Sequence, residues 1–279
     1  MAIWGSTWIA ITFQLGKVAP EASVFYRFAL AALLLFLYCR ARGLSLAFNR
    51  RQHLVLAAQG VLMYGVSYIL VYYAESHVLS GLVAIGYSAS PLLNMLGVWI
   101  CFGTPLSWRV SAGALLGIVG IALVFWPEFD KLSSNNNGVL GIVYTALAVI
   151  TSAAGSVVAS RNHKLGLPIW QAMAWGMLYG AIFSLVITFA VGKTLAFEFS
   201  LPYAASLLYL TVFGSILAFA GYLTLLERIG AGRAGYIGVM VPIVALVISA
   251  FFEGFTWHLI TVFGIALSLA GNVIVLRKK

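Results

Sequence analysis

Charged residues are sparse along this chain and leave ten uncharged runs, at 1–16, 28–39, 52–74, 76–108, 110–127, 132–160, 165–192, 199–226, 234–252 and 254–276. A helix that crosses a bilayer needs roughly 20 mostly apolar residues, and most of the runs reach that length. The second is short because Arg27 interrupts it; from Ala22 to Cys39 the segment reads as one helix carrying Arg27. The pattern predicts helices at about 2–16, 21–39, 54–73, 79–102, 107–126, 138–160, 168–191, 201–226, 232–252 and 257–276. The first is barely long enough, with Trp4-Gly5-Ser6 close to its start, which leaves a shortened N-terminus open. It lacks the basic n-region and small-residue cleavage site of a signal peptide. Ten such spans consume about 200 residues, so the expected fold is an all-α polytopic membrane protein with ten transmembrane helices and no soluble domain.

Composition narrows the alternatives. Only 8% of the 279 residues are charged and 62% are apolar, with a mean hydropathy of +1.02. A soluble domain is about 25% charged, and intrinsic disorder needs low hydrophobicity. The net charge of +9 does not indicate nucleic acid, because the basic residues lie in short clusters between spans rather than on one accessible face. The partners expected are the lipid bilayer and a small-molecule metabolite, without nucleic acid.

Those clusters orient the chain by the excess of Lys and Arg on cytoplasmic loops. Arg40, Arg42, Arg50, Arg51, Arg109, Arg161, Lys164, Arg228, Arg233, Arg277, Lys278 and Lys279 fall on one side, whereas Lys17, Lys131 and Lys193 fall on the other. With ten spans both termini are then cytoplasmic. Cys39 and Cys101 lie near that reducing face, so no disulfide is expected.

The chain also repeats itself. Gly81, Pro91, Gly113 and Gly120 recur as Gly232, Pro242, Gly264 and Gly271, each pair 151 positions apart. Leu106-Ser107-Trp108 matches Phe255-Thr256-Trp257, Gly5-Ser6 corresponds to Gly155-Ser156, and Pro20 to Pro168. Two five-helix repeats, at 1–130 and 131–279, follow as one integral unit. Because five is odd, the second enters the membrane from the opposite side. An inverted-topology repeat is the signature of secondary transporters with a midplane site between the halves.

The same residues carry a family resemblance. Trp4-Gly5-Ser6, Arg27-Phe28 opening an aliphatic run, Pro91, and the Gly113/Gly117/Gly120 ladder with its echo in the tenth helix resemble the drug/metabolite transporter superfamily, EamA type. The resemblance spans nearly the whole chain. It implies a ten-helix, 5+5 secondary transporter of the bacterial inner membrane. The aromatic content looks most like the family's aromatic amino acid exporters. Family members usually carry a Glu after the fourth and ninth helices; Glu253 keeps the second, and Thr104 occupies the first.

Several residues are candidates for transport. Pro91 and Pro242 each remove a backbone hydrogen bond mid-helix, which suits either paired hinges or static kinks. Tyr64, Tyr68, Tyr87, Trp175, Tyr179 and Tyr209 lie deep, and Trp8 shares a helix face with Trp4. These rings either line a cavity for a flat apolar solute or pack between helices. Ser88, Ser90 and Asn94 put hydrogen-bonding groups around the first kink, where Val239, Val241 and Ala245 stand in the second repeat. Such groups also bond helices to one another. The substrate is expected between the halves, touching the third, fourth, seventh and eighth helices. Arg27 suits a substrate carboxylate, but it lies about 9 Å along the helix from Glu21, and its side chain is expected to snorkel to the outer interface or to pack within the bundle. The small-residue faces of the fifth and tenth helices read as scaffold.

Absences discriminate between activities. No Asp or Glu falls mid-membrane; Glu21, Glu75, Glu227 and Glu253 are at helix ends. A buried cationic drug would lack a counter-charge, so neutral or zwitterionic metabolites fit better. Proton coupling through a carboxylate is disfavoured, with His77 leaving it open. An intramembrane enzyme would need clustered Asp, His or Cys, and a channel would need charge rings or a carbonyl filter; neither pattern occurs. No metal or cofactor is expected. The leading expectation is an alternating-access exporter of amino acids, aromatic ones included, ahead of nucleoside, sugar-nucleotide or drug-like solutes.

Overall fold

The apolar runs fold as helices, since a chain in lipid must satisfy its backbone hydrogen bonds internally. The computed structural model describes residues 2–103, 108–130, 137–234, 236–255 and 257–276, and among these helix is the only extended regular structure. Thr104, Lys131, Thr256 and the basic tail 277–279 lie outside the described residues.

The rods are α1 (Ala2–Thr12), α2 (Pro20–Ala41), α3 (Arg50–Glu75), α4 (80–102), α5 (Trp108–Asp130), α6 (Asn137–Lys164), α7 (Ile169–Ala190), α8 (201–234), α9 (Tyr236–Phe252) and α10 (Leu259–Leu276). Among the described residues, six of them are long and apolar enough to cross a membrane: α2, α3, α4, α6, α7 and α8. Shorter apolar helical stretches run over Leu115–Val124, Val241–Phe252 and Leu259–Gly271.

Local chemistry sets the ends. Pro20 opens α2, where its missing N–H has no helical partner to lose. Asn49 and Gln52 form a reciprocal capping box that starts α3 at Arg50, ahead of the expected position. Gly103, at φ 67°, closes α4 in the left-handed conformation that suits glycine. α1 stops at Thr12, four residues earlier than its hydropathy suggests, because the chain turns there: Gln14 N–H bonds the Ile11 carbonyl and the Gln14 side chain is buried.

Three rods depart from α geometry. α3 carries a π-helical turn over Val61–Val66, and α8 carries another over Leu210–Leu217. In α4 a 3-10 turn at Tyr87–Ala89 precedes Pro91, so the backbone tightens where the proline removes a donor. α9 runs through Pro242 as continuous helix.

α2 packs along α7, and α5 along α10. The second pair uses the glycine ladder in cis. A Cβ at Gly120 would lie 2.5 Å from the Gly264 carbonyl oxygen, and one at Gly271 would lie 2.5 Å from that of Gly113. Backbones this close need residues without side chains. The main buried cluster, with Phe28, Leu35, Tyr64, Tyr72, Met173, Met177 and Leu210, fills the space between α2, α3, α7 and α8. Leu33, Leu37, Ile182, Val186 and Phe263 face outward, as lipid requires. Cys39 and Cys101 are unpaired.

Candidate functional site

Six helices surround a central cavity of about 930 Å³, its open mouth included. α1 contributes Trp4, Thr7, Trp8 and Ile11, spaced so that they share one helix face. α3 adds Met63, Tyr68 and Val71, and α4 adds Ala84, Tyr87, Ser90 and Asn94. From the second half come Ser152 and Ser156 of α6, Phe219 and Tyr222 of α8, and Val241 and Pro242 of α9.

The walls are mostly rings. Trp4 meets Phe219 edge-on with centroids 5.3 Å apart and tilts against Tyr222 at 5.5 Å; Trp8 tilts against Tyr87 at 5.1 Å. Hydrogen bonds hold part of this frame. The Trp4 indole N–H donates to the Gly214 carbonyl at 3.2 Å. Ser67 spends its one proton on the Ala148 carbonyl at 3.0 Å, so Tyr87 donates to Ser67 Oγ at 2.8 Å. Three polar atoms of the lining, Trp8 Nε1, Ser90 Oγ and Asn94 Oδ1, are buried without a hydrogen-bond partner among the described residues. Buried polar atoms are normally paired, so the cavity offers one N–H donor and two side chains able to accept.

Arg27 does not snorkel. It is 1% exposed; its Nε donates to Ser215 Oγ at 2.9 Å, and its guanidinium sits 4.5 Å from the Tyr68 ring centroid. Packing by α8 leaves its side chain no route to the interface. Nη1 has no partner, and no acid forms an ion pair with Arg27 among the described residues. A positive charge thus stands behind the Tyr68 wall, while no carboxylate lines the cavity among the described residues.

The other predicted residues divide. Trp8, Tyr68, Tyr87, Ser90, Asn94 and Pro242 come together in the lining; Pro91 falls in the same stretch of α4. Tyr64 is fully buried behind the wall, edge-on to Phe219 at 5.0 Å. Ser88 turns away and bonds Ser268 of α10 at 2.9 Å. Tyr209 bonds Ser6 at 2.6 Å outside the lining. Trp175 and Tyr179 of α7 form a separate cluster: Trp175 donates to the Leu46 carbonyl at 3.0 Å, and the Tyr179 hydroxyl shares a hydrogen bond with His53 Nδ1 at 2.8 Å. α7 therefore lines none of the cavity, contrary to expectation, because its inward face is taken up by α2 and α3. Sequence reasoning missed Ser152, Ser156, Phe219 and Tyr222. Their spacings, four and three residues, were the available signal.

One end of the bundle is tied shut across helices. Tyr72 donates to Gln14 Oε1 at 2.6 Å, Tyr73 donates to Glu21, and Ser80 donates through its backbone N–H and hydroxyl to Glu253. Beyond these, Lys17 pairs with Glu198 at 3.1 Å; that ammonium and the Ser200 hydroxyl hold the Glu198 carboxyl below its ordinary range.

A helical bundle with a ring-lined central chamber has the form of a membrane transporter, and the comparisons agree. Residues 1–126 and 139–277 match the EamA-like transporter family, so the chain belongs to it, within the drug/metabolite transporter superfamily. The uncharacterized inner membrane transporter YedA of Escherichia coli (strain K12) is 28% identical over 256 residues, which cover 91% of this chain and 80% of that one. Protein PecM of Dickeya dadantii (strain 3937) is 24% identical over 251 residues, 90% of this chain and 80% of that one. A solved crystal structure superposes with a TM-score of 0.72 at 16% identity, over 98% of this chain and 93% of that one, a likeness of fold.

Proposed function

We propose that this chain is an inner-membrane carrier that exports small neutral or zwitterionic metabolites, amino acids with aromatic side chains among them, by alternating access. Its ten rods cross the bilayer as two inverted repeats of five, α1–α5 and α6–α10, with both termini cytoplasmic. The internal spacing of 151 residues supports the repeat. So do the π turns in α3 and α8, and a lining drawn from α1, α3 and α4 and from their counterparts α6, α8 and α9. The cluster of Arg and Lys at one end and the name of the YedA relative support the orientation and the membrane.

The observation that carries the substrate class is the cavity itself: edge-on and tilted rings, unpaired polar atoms and no acid among the described residues, with Arg27 behind Tyr68. Rings bind a flat apolar side chain, Ser90 and Asn94 accept from an ammonium, and the buried guanidinium favours a carboxylate. A cation without a carboxylate gains nothing from it. The two prolines flank the chamber and suit a rocking motion of the halves around it.

The test is L-phenylalanine counterflow in proteoliposomes. Tyr87→Ala and Asn94→Ala are expected to lower uptake at least about tenfold, the loss of one to two hydrogen bonds or ring contacts. Trp175→Leu, outside the chamber, leaves it unchanged. No movement of any amino acid, or equal loss in all three variants, rejects the reading; exclusive movement of nucleosides or sugar nucleotides replaces the substrate class.

A further inference from the structure

A second cavity, of about 660 Å³, opens at the tied end of the bundle, lined by Lys17, Lys193, Tyr73, Glu75 and His77 among others. Glu75 is the last residue of α3. It is 7% exposed, and neither carboxylate oxygen has a hydrogen-bond partner among the described residues. This differs from Glu21 and Glu253, which sit at the same end and accept hydrogen bonds from Tyr73 and Ser80. An ionised carboxylate buried with both oxygens bare loses its hydration and recovers nothing. The surroundings do not compensate. Its charged neighbours are Glu253 and Arg27, and neither hydrogen-bonds its carboxylate. Lys17 is engaged by Glu198, and Lys193 approaches from the rim rather than pairing with Glu75.

From this we infer that Glu75 is a proton-binding site, and that the tied end of the bundle closes only when the Glu75 carboxyl holds a proton. His77 shares the cavity with Glu75. Its Nδ1 lies 2.7 Å from the Tyr73 carbonyl oxygen, which can only accept, so Nδ1 carries a hydrogen and the ring is held in the same cavity. When the carboxylate takes up a proton from the aqueous side it becomes a neutral carboxyl, which the end of α3 can keep buried. When the end opens, water reaches the group and the proton leaves. Tyr72 and Tyr73, which bond Gln14 and Glu21, are adjacent on α3, so movement of the Glu75 turn acts directly on two of the three ties. The inference rests on the transporter reading for its consequence, which is export governed by pH on the Lys17 side.

The experiment uses full-length protein in nanodiscs. In pH-difference infrared spectra, a protonated carboxyl C=O band is expected for the unmodified protein and absent from Glu75→Gln, with Glu75→Met as a second neutral variant should Gln fail to fold. A Val18→Cys reporter in a Cys39→Ser, Cys101→Ser background then reads the gate through labelling by a membrane-impermeant maleimide, since Val18 is 3% exposed at the tied end. The labelling rate, divided by that of the same reporter with Glu75→Gln, is expected to rise up to about tenfold per pH unit through the titration. A carboxyl band indifferent to both substitutions, or a labelling ratio flat with pH, overturns the inference. L-phenylalanine counterflow on the same preparations separates the readings. If it is absent while band and labelling behave as expected, the amino-acid substrate falls and the proton site stands.

Discussion

Replacing Arg27 with Met should erase discrimination between a carboxylate and its amide without erasing binding. The guanidinium lies 4.5 Å from the Tyr68 centroid, and Tyr68 forms the cavity wall. A carboxylate in van der Waals contact with the cavity side of that ring is then about 8 Å from the charge. At an effective dielectric constant of about 20, two unit charges at about 8 Å attract by about 2 kcal/mol, or about 30-fold in affinity. Comparing L-phenylalanine with L-phenylalaninamide, in native protein and in Arg27→Met, isolates that term as a cycle. The preference for the acid over the amide is expected to shrink about 30-fold, whereas ring contacts contribute equally to all four affinities. Met keeps much of the side-chain volume, and it removes a buried charge that no acid balances, so the fold is expected to survive; size-exclusion profiles check this. The assay is titration calorimetry in detergent or nanodiscs. A preference unchanged by Arg27→Met refutes the argument that this charge reads the ligand.

Further outcomes follow from the packing and from one surface ion pair. Gly120→Ala would force a Cβ to 2.5 Å from Gly264 O and Ser268 N, and is expected to lower thermal stability by about 1–3 kcal/mol as overpacking does. Gly221→Ala, whose Cβ would meet nothing within 4 Å, is expected to gain up to about 1 kcal/mol in the same fluorescence-detected melts. Ser88→Ala breaks the bond to Ser268 and should cost about 0.6 kcal/mol of stability with no change in ligand affinity, measured side by side with Asn94→Ala, which should do the reverse. Carbon-13 NMR of the Glu198 carboxyl should show it titrating below the ordinary carboxylate range and returning toward it in Lys17→Gln. Because the folded value is depressed, the stabilisation is present above the unfolded range and is lost as pH falls through the folded value.

Much of the site was legible because membrane helices have a simple period. Ser90 and Asn94, four apart on α4, and Trp4 and Trp8, four apart on α1, had to share faces, and both faces turn out to look into the chamber. The glycine ladder was legible for the same reason: a row of missing side chains is useful only against another backbone. Trp175 and Tyr179 were not distinguishable from Tyr68 and Tyr87 on these grounds. All four are deep aromatics on apolar helices. Which of them meets a cavity depends on which helix lies opposite, and α7 happens to be covered by α2 and α3. Glu75 was not legible either. Its place at a helix end said nothing of its burial, and the fold leaves the residue only 7% exposed.

The sequence by itself determined that the chain is helical and apolar along most of its length, where its spans begin, which helices can touch backbone to backbone, and that two halves resemble each other. These follow from hydropathy, capping and spacing, which are local properties that survive whatever the neighbours do. Only the tertiary structure decided which helix faces enclose space rather than protein or lipid, that Arg27 points inward at Tyr68, and that Glu75 is buried without a partner. The direction of a side chain and the cost of its burial are set by atoms hundreds of residues away in the chain, and no local pattern encodes them.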